Sequence, residues 1–279
     1  MKKIALITGT SSGIGLHSAV QLAQAGYTVV ATLRNPAKAD ALKQEAAAQK
    51  VELDIRQLDV QDNASVAACV QGVLATYGRI DLLVNNAGSG FLGTLEETSM
   101  ADLQQVMDVN FYGVWRVTQA VFAHMRQSGA GRIISVTSVG GLLGAPFNDA
   151  YCAAKFAVEG MMESLAPVAK RLGVEIVLVE PGPVNTEFVA SVRSKAAATQ
   201  NALDAYAGLR NAYLASTTQA FASIGQTGAD IGKVVVDAAT RATPPFRIPT
   251  SEVIAGLIQR KYVDSSGDSV LALTGSRLN

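Results

Sequence analysis

The sequence predicts a single α/β domain spanning residues 1–279, a doubly wound parallel sheet with helices on both faces. Three observations lead there. Short, uninterrupted apolar runs alternate with longer amphipathic stretches, the pattern of buried parallel strands joined by crossover helices. A glycine-rich turn stands at the joint between the first apolar run and the first helical stretch. The chain also has the length of one large α/β domain or two small ones, enough to bury a core without disulfides or metals.

The elements follow in order. Ile4–Ile7 comes after two lysines and could pass for the start of a secretory leader. It is too short for that, and the polar Thr8-Gly9-Thr10-Ser11-Ser12 cuts it off, so it reads as a buried first strand. Further strands are expected at Thr28–Thr32, Val51–Leu58, Leu82–Val84, Ile133–Thr137 and Glu175–Glu180. Helices are expected at Gly15–Ala25, Ala37–Gln49, Asn63–Tyr77, Ala101–Gln127 and Tyr151–Leu172. Over 187–228 the composition changes: Ala, Ser, Thr and Gln are common and no strand run occurs. This predicts one or two helices lying over the sheet edge as a substrate lid, with a plain surface helix pair as the alternative. Phe246–Pro249 ahead of a helical Glu252–Tyr262 closes the chain as a last strand and tail.

Composition narrows the function classes. Twenty-three basic and 23 acidic side chains balance, which argues against a nucleic-acid or anionic-membrane surface. Charged residues are only 16% and hydrophobic ones 49%, so much of the chain is buried, or some surface is covered by a partner or an apolar ligand. No apolar stretch is long enough for a membrane span, and the expected location is the cytoplasm. His17 and His124 are the only histidines and Cys69 and Cys152 the only cysteines, so no metal site is expected and a Ser-His-Asp triad has few candidate bases.

The turn Thr8-Gly9-Thr10-Ser11-Ser12-Gly13-Ile14-Gly15 has the chemistry of a pyrophosphate cradle. Glycine permits the tight turn, the close backbone approach to phosphate and close helix–strand packing, and the following helix offers its amides. A mere turn is the alternative. Dinucleotide enzymes that use NAD usually carry an acid about twenty residues on, at the ribose 2′-hydroxyl. Here the second strand ends in Leu33-Arg34-Asn35, with no carboxylate, and Ser11 lies in the adjoining turn. That favours NADP, although Arg34 also suits a solvated loop. Farther on, Tyr151 and Lys155 are four residues apart on one helix face. A nearby ammonium lowers a phenol pKa toward working pH, so the pair suits general acid–base chemistry. Ser138 ends a buried-looking strand, where its hydroxyl could polarise a carbonyl.

With Asn85-Asn86-Ala87-Gly88, Asn110 and Pro181-Gly182 added, these motifs resemble the short-chain dehydrogenase/reductase family, in its order and at its usual distances over about residues 1–190. Gly13-Ile14-Gly15-Leu16-His17, Ala31-Thr32-Leu33-Arg34, Ser138–Leu142 and Pro146–Cys152 look like the branch containing the 17β-hydroxysteroid and retinol dehydrogenases. The resemblance implies a Rossmann-like fold, an NADP(H) cofactor and a homodimer or homotetramer. It implies Tyr151 as general acid or base, Lys155 on the nicotinamide ribose, Ser138 on the substrate oxygen and Asn110 supporting a proton relay. It also implies a cofactor site made of Gly9, Ser11, Ser12, Gly13, Ile14, Gly15 and Arg34. Asp59 would contact the adenine, with Val60 counted beside it, while Asn86, Ala87 and Gly88 border the cofactor. Pro181, Gly182 and Thr186 would wrap the nicotinamide end.

Other residues have plainer readings. His17 and His124 suit packing or surface positions, and Cys152 suits a small buried thiol facing away from substrate. Asn148-Asp149 could touch substrate or cap the Tyr151 helix. Phe188, Tyr206, Leu209, Tyr213, Leu214 and Phe221 give the lid an apolar lining, pointing to an apolar carbonyl or alcohol as substrate. The expected activity is therefore carbonyl–alcohol interconversion with NADP(H), that is, a carbonyl reductase type of oxidoreductase. A nucleotide-sugar epimerase or dehydratase, or an NADP-sensing module without turnover, are the alternatives.

Overall fold

Apolar runs become strands wherever helices cover both faces of the sheet. The computed structural model describes residues 2–187 and 203–278. Its main sheet contains β1 (Ile4–Thr8), β2 (Thr28–Leu33), β3 (Asp54–Gln57), β4 (Leu82–Asn85), β5 (Gly131–Val136), β6 (Val174–Glu180) and β9 (Arg247–Pro249). They lie in the order β3-β2-β1-β4-β5-β6-β9, and all are parallel. The chain winds outward from β1 to β3, returns, and winds the other way from β4. The crevice at the carboxyl ends of β1 and β4 is thus the switch point where ligands bind in such sheets.

One face is covered by α3 (Asn63–Tyr77), α5 (Gly113–Ser128) and α6 (Asp149–Arg171), whose Val66, Val117, Met125 and Met162 meet Leu6, Leu83 and Ile133. The other face is covered by α1 (Gly13–Gln24), α2 (Asp40–Ala48) and α8 (Gly228–Thr240), whose Leu16, Leu42 and Val235 meet Ile7, Val84 and Ile134. Glycine lets α8 lie close to α1. A Cβ at Gly228 would meet the His17 ring at 2.9 Å, which makes His17 a packing residue. The remaining helices are α4 (Met100–Met107), α7 (Ala207–Ile224), α9 (Glu252–Val263) and α10 (Asp268–Gly275). Among the described residues, no helix is long and apolar enough to cross a membrane.

Three elements depart from expectation, each for a local reason. The run Val51–Leu58 forms a strand only over Asp54–Gln57, because β3 is an edge strand paired to four residues of β2. Val51 and Leu53 instead pack sideways on the core. Ala37–Gln49 divides into a short 3₁₀ turn at Pro36–Lys38, capped by the Asn35 side chain on the Ala37 amide, and then α2. Ala101–Gln127 is interrupted by a π-helical turn at Asp108–Tyr112 between α4 and α5. There the buried Asn110 side chain donates to the Val106 carbonyl, so the backbone ladder widens around it.

The stretch after β6 is tied at both ends. Val184–Asn185 (β7) pairs in parallel with Gln226–Thr227 (β8), a two-residue ladder that the polar sequence there does not announce. The last strand, expected from Phe246–Pro249, adds Arg247–Pro249 beside β6.

Leu83 is fully buried at the centre of the sheet. Leu83→Ala is expected to lower stability by about 2–5 kcal/mol, read as a lower denaturant midpoint at an unchanged slope.

Candidate active site

The carboxyl ends of β1, β4, β5 and β6 open into one cavity of about 750 Å³. Its first wall is the glycine turn. Gly9 has φ +71°, and a Cβ there would sit 2.7 Å from the Ala87 Cα. A Cβ on Gly15 would sit 2.2 Å from the Gly9 carbonyl oxygen. Two side chains hold this approach. The Thr8 hydroxyl accepts from the Asn86 and Ala87 amides at 3.0 Å. The Asn86 carboxamide donates to the Thr8 and Gly9 carbonyls at 2.9 Å. Ser12 stands at the N-cap of α1 with extended backbone but makes no side-chain cap, so the first amides of the helix are left for an anion.

Along the same cavity lie Ser11, Ser12, Ile14, Arg34, Asp59, Val60 and Gly88. Arg34 is exposed at the end of β2, and no acidic side chain pairs with it among the described residues. Asp59 accepts from the Gln61 amide at 3.0 Å, which fixes its carboxylate at the rim, and the Val60 carbonyl takes a hydrogen bond from Arg116. Pro181, Gly182 and Thr186 close the far side; a Cβ on Gly13 would meet the Thr186 methyl at 3.1 Å. A cradle filled by any Cβ, uncapped helix amides and a cation instead of an acid after β2 fit a dinucleotide. No cluster of three or more His, Cys, Asp or Glu suited to a metal ion occurs among the described residues.

The other end of the cavity is built from β5 and α6. Ser138 follows β5 with an extended backbone, and its hydroxyl accepts from the Gly140 amide at 3.0 Å. It also hydrogen-bonds Tyr151 in the first turn of α6. One turn on, Lys155 donates to the Val136 carbonyl at 3.2 Å, with its nitrogen 5.8 Å from the Tyr151 ring centre.

The electrostatics differ from the expectation that Lys155 lowers the tyrosine. Burial pushes Tyr151 up to about 12, against the Ser138 hydrogen bond, which pulls it down. Burial likewise pulls Lys155 down to about 8, opposed by Glu159. Desolvation outweighs the pair's attraction in the protein alone, so Tyr151 is held protonated.

Of the predicted site residues, Asn110 does not line the cavity. It stands behind Gly88: its carboxamide exchanges hydrogen bonds with the Ser89 backbone, and a Cβ on Gly88 would lie 2.9 Å from its oxygen and 3.8 Å from the Lys155 nitrogen. Asn148 is the N-cap residue of α6 but does not cap with its side chain. It donates instead to the Pro146 carbonyl and, at 2.7 Å, to the Tyr213 hydroxyl. Cys152 is buried, with its thiol pushed up by burial, but it lines the cavity rather than facing away.

In the expected lid, α7 places Tyr213, Leu214 and Phe221 on the cavity, as the apolar reading predicts. Tyr206 and Leu209 do not line it: Tyr206 donates to Glu96 at 2.5 Å, and Leu209 faces solvent. Phe188 lies outside the described residues. The sequence reading missed Ile254, Leu257 and Leu273, which α9 and α10 bring to the same wall. The three-residue spacing of Ile254 and Leu257 is the only local signal, and it marks an apolar helix face without saying what it faces.

A family model described as short chain dehydrogenase matches residues 3–197. The chain belongs to the short-chain dehydrogenase family. It is 41% identical over 269 residues to retinol dehydrogenase 8 of Bos taurus, covering 94% of this chain and 86% of that one. It is 40% identical over 275 residues to 17-beta-hydroxysteroid dehydrogenase type 1 of Homo sapiens, covering 96% and 83%. Among solved structures, a short-chain dehydrogenase/reductase from Burkholderia phymatum in complex with NAD matches with a TM-score of 0.79 at 27% identity, covering 95% and 94% of the two chains. A metagenomic short-chain oxidoreductase in complex with NADP matches with a TM-score of 0.69 at 28% identity, covering 88% and 96%. The family, the branch and the Rossmann-like fold thus agree with the motifs in the chain.

Gly15→Ala places a methyl group against the Gly9 carbonyl. It is expected to weaken dinucleotide binding at least about tenfold in a fluorescence titration, a loss of ~1.4 kcal/mol. Unchanged binding would show that the turn does not shape the cradle.

Proposed function

We propose that this short-chain dehydrogenase interconverts a carbonyl and an alcohol on an apolar small molecule with NADP(H), Tyr151 serving as general acid and base. The observation that carries this reading is the Ser138–Tyr151 hydrogen bond in the wall of the cavity that also holds the glycine turn. Ser138 and Tyr151 are hydrogen-bonded neighbours in the cavity lining, and a carbonyl oxygen bound beside them would accept from both. Because burial keeps Tyr151 protonated, it is ready to give its proton to that oxygen as negative charge develops there. Lys155 would hold the nicotinamide-ribose hydroxyls, and its positive charge favours the phenolate left behind. Asn110 would steady the Ser89 backbone beside this path. The nicotinamide cofactor supplies or accepts the hydride when bound.

Support for NADP over NAD comes from Arg34, which would meet the 2′-phosphate with Ser11. Support for an apolar substrate comes from Leu143, Tyr213, Leu214, Phe221, Ile254 and Leu257 on the cavity wall. Two of the relatives are named for retinol and for 17-beta-hydroxysteroids, both apolar alcohols. The segment 187–228 would act as the substrate lid. The half-exposed Tyr112 and Trp115, with Val168 on α6 and Leu172 just past its end, would form the face of a homodimer or homotetramer.

Tyr151→Phe is expected to abolish reduction of a panel of apolar ketones and aldehydes while NADPH still binds; full turnover in this variant would end the assignment. Arg34→Asp is expected to reverse the cofactor preference, lowering kcat/KM with NADPH about a hundredfold, ~2.7 kcal/mol, while sparing NADH. For pH, Lys155 loses its proton as pH rises through about 8, whereas Tyr151 keeps its own up to about 12. Reductive kcat/KM should therefore be level at neutral pH and fall on the alkaline side from about 8. A fall beginning on the acid side of neutrality would contradict this order of titration.

A further inference from the structure

Beneath the site lies a cluster of buried charge that the reaction described above does not use. Glu159 is one helical turn beyond Lys155 on α6, 4% exposed, and its side chain packs on Gly141 beside the Lys155 backbone. Its carboxylate accepts from the Thr137 hydroxyl at 2.6 Å and from the Arg247 Nε at 3.2 Å. Glu180, at the end of β6 and 0% exposed, lies 3.2 Å from the same Arg247 nitrogen, yet neither of its oxygens has a hydrogen-bond partner among the described residues. Arg247, on β9, reaches outward to Glu163 at 2.6 Å with its terminal Nη2.

Two features of this arrangement are informative. First, Lys155 and Glu159 grip consecutive residues: Lys155 takes the Val136 carbonyl and Glu159 the Thr137 hydroxyl, immediately before Ser138. One turn of α6 thereby fixes the strand end that carries the substrate-facing serine. Second, the two buried acids are not equivalent. Glu159 has a hydroxyl donor, the hydrogen bond from Arg247 and the neighbouring ammonium; Glu180 has the same guanidinium nearby but no hydrogen bond. When one proton is shared between them, it resides on Glu180. Burial and repulsion by Glu159 push Glu180 up to about 8, in agreement with that placement.

We propose that Glu159 is a positioning residue: from one turn beyond Lys155 it favours the charged form of the buried ammonium and pins the Val136–Thr137 segment that leads to Ser138, while Thr137 and Arg247 oppose the burial that disfavours its own charge. The proposal rests on the reading of Lys155 as the cofactor-facing lysine. The charged and titratable groups facing the cluster are Tyr151, Lys155 and Glu163 from α6, Glu180 from β6, Arg247 from β9 and Tyr262 from α9. Lys155 is the only cation among them apart from Arg247, so the charge on Glu159 acts mainly on these two. A neutral residue at 159 leaves Lys155 buried with no charge of opposite sign acting on it from among the described residues.

The test titrates Lys155 directly in the protein without cofactor, by ¹³C NMR of chains labelled at the lysine ε-carbon, with Lys155→Met assigning the resonance. Glu159→Gln is expected to move the Lys155 midpoint to lower pH by about one unit, a tenfold weaker hold on the proton. Glu159→Asp keeps the charge and should restore most of that shift. Glu180→Gln should leave the midpoint within a few tenths of a unit, because Glu159, not Glu180, is the carboxylate whose charge acts on Lys155. Thr137→Val, which removes the donor that favours ionised Glu159, should shift Lys155 in the same direction by less and serves should Glu159→Gln fail to fold. An unmoved midpoint in Glu159→Gln, or in Thr137→Val if that variant alone folds, overturns the proposal. So does an equal shift in Glu180→Gln. The alkaline limb of the reductive kcat profile should move in step with the NMR midpoint while the carbonyl KM stays nearly constant. Because the titration needs no turnover, a chain that reduced no carbonyl would defeat the functional reading and leave the Glu159 result standing on its own.

Discussion

The closeness of two turns, one after β1 and the other after β4, decides where everything else can go. Thr8 and Asn86 bind these turns together, and Gly9 and Gly15 have no room for a side chain. This contact sits where the sheet reverses its winding, so the crevice it creates is common to both halves of the fold. Helix α1 starts there with free amides, the Gly88 turn borders the same space, and Asn110 behind it supports that turn from the π-helical kink. The kink is a cost in helix regularity that serves the position of one carboxamide.

The second governing term is desolvation. At a tyrosine–lysine pair in water, attraction between the ammonium and the phenolate would dominate. In the buried pocket the loss of hydration is larger and favours the neutral form of each partner. Tyr151 consequently rests as an acid, while Lys155 needs help to remain a cation. The same reasoning explains why two buried acids and a guanidinium can lie one turn beyond Lys155 without being a simple stabilising salt bridge. Their arrangement divides one proton unequally, and the division is set by which acid has a hydroxyl donor.

Most of the cofactor half was legible from residue types alone. The glycine turn is dictated by backbone clearance, and the missing acid after β2 is visible as Leu33-Arg34-Asn35. Tyr151 and Lys155 are paired by helical spacing, which is local. What was not legible depends on contacts between distant segments. Asn148 reads equally as a cap or a ligand until Tyr213 is placed 2.7 Å away. Tyr206 looks like lid lining until Glu96 draws its hydroxyl outward. Ile254, Leu257 and Leu273 are ordinary apolar helix positions whose meaning comes only from the wall they complete. Nothing local in the sequence marks Glu159, because Arg247 arrives beside it from the far edge of the sheet.

The small β7–β8 ladder has a consequence for how such a chain can diversify. By pairing Val184–Asn185 with Gln226–Thr227, it closes the intervening excursion at its base and isolates it from the register of the main sheet. Lengthening or rewriting a closed excursion adds loop entropy only logarithmically, so changes there burden folding lightly. On the proposed reading, the catalytic scaffold and the surface that selects molecules are thereby separable: one half of the pocket can be inherited unchanged while the other is free to drift toward new chemistries.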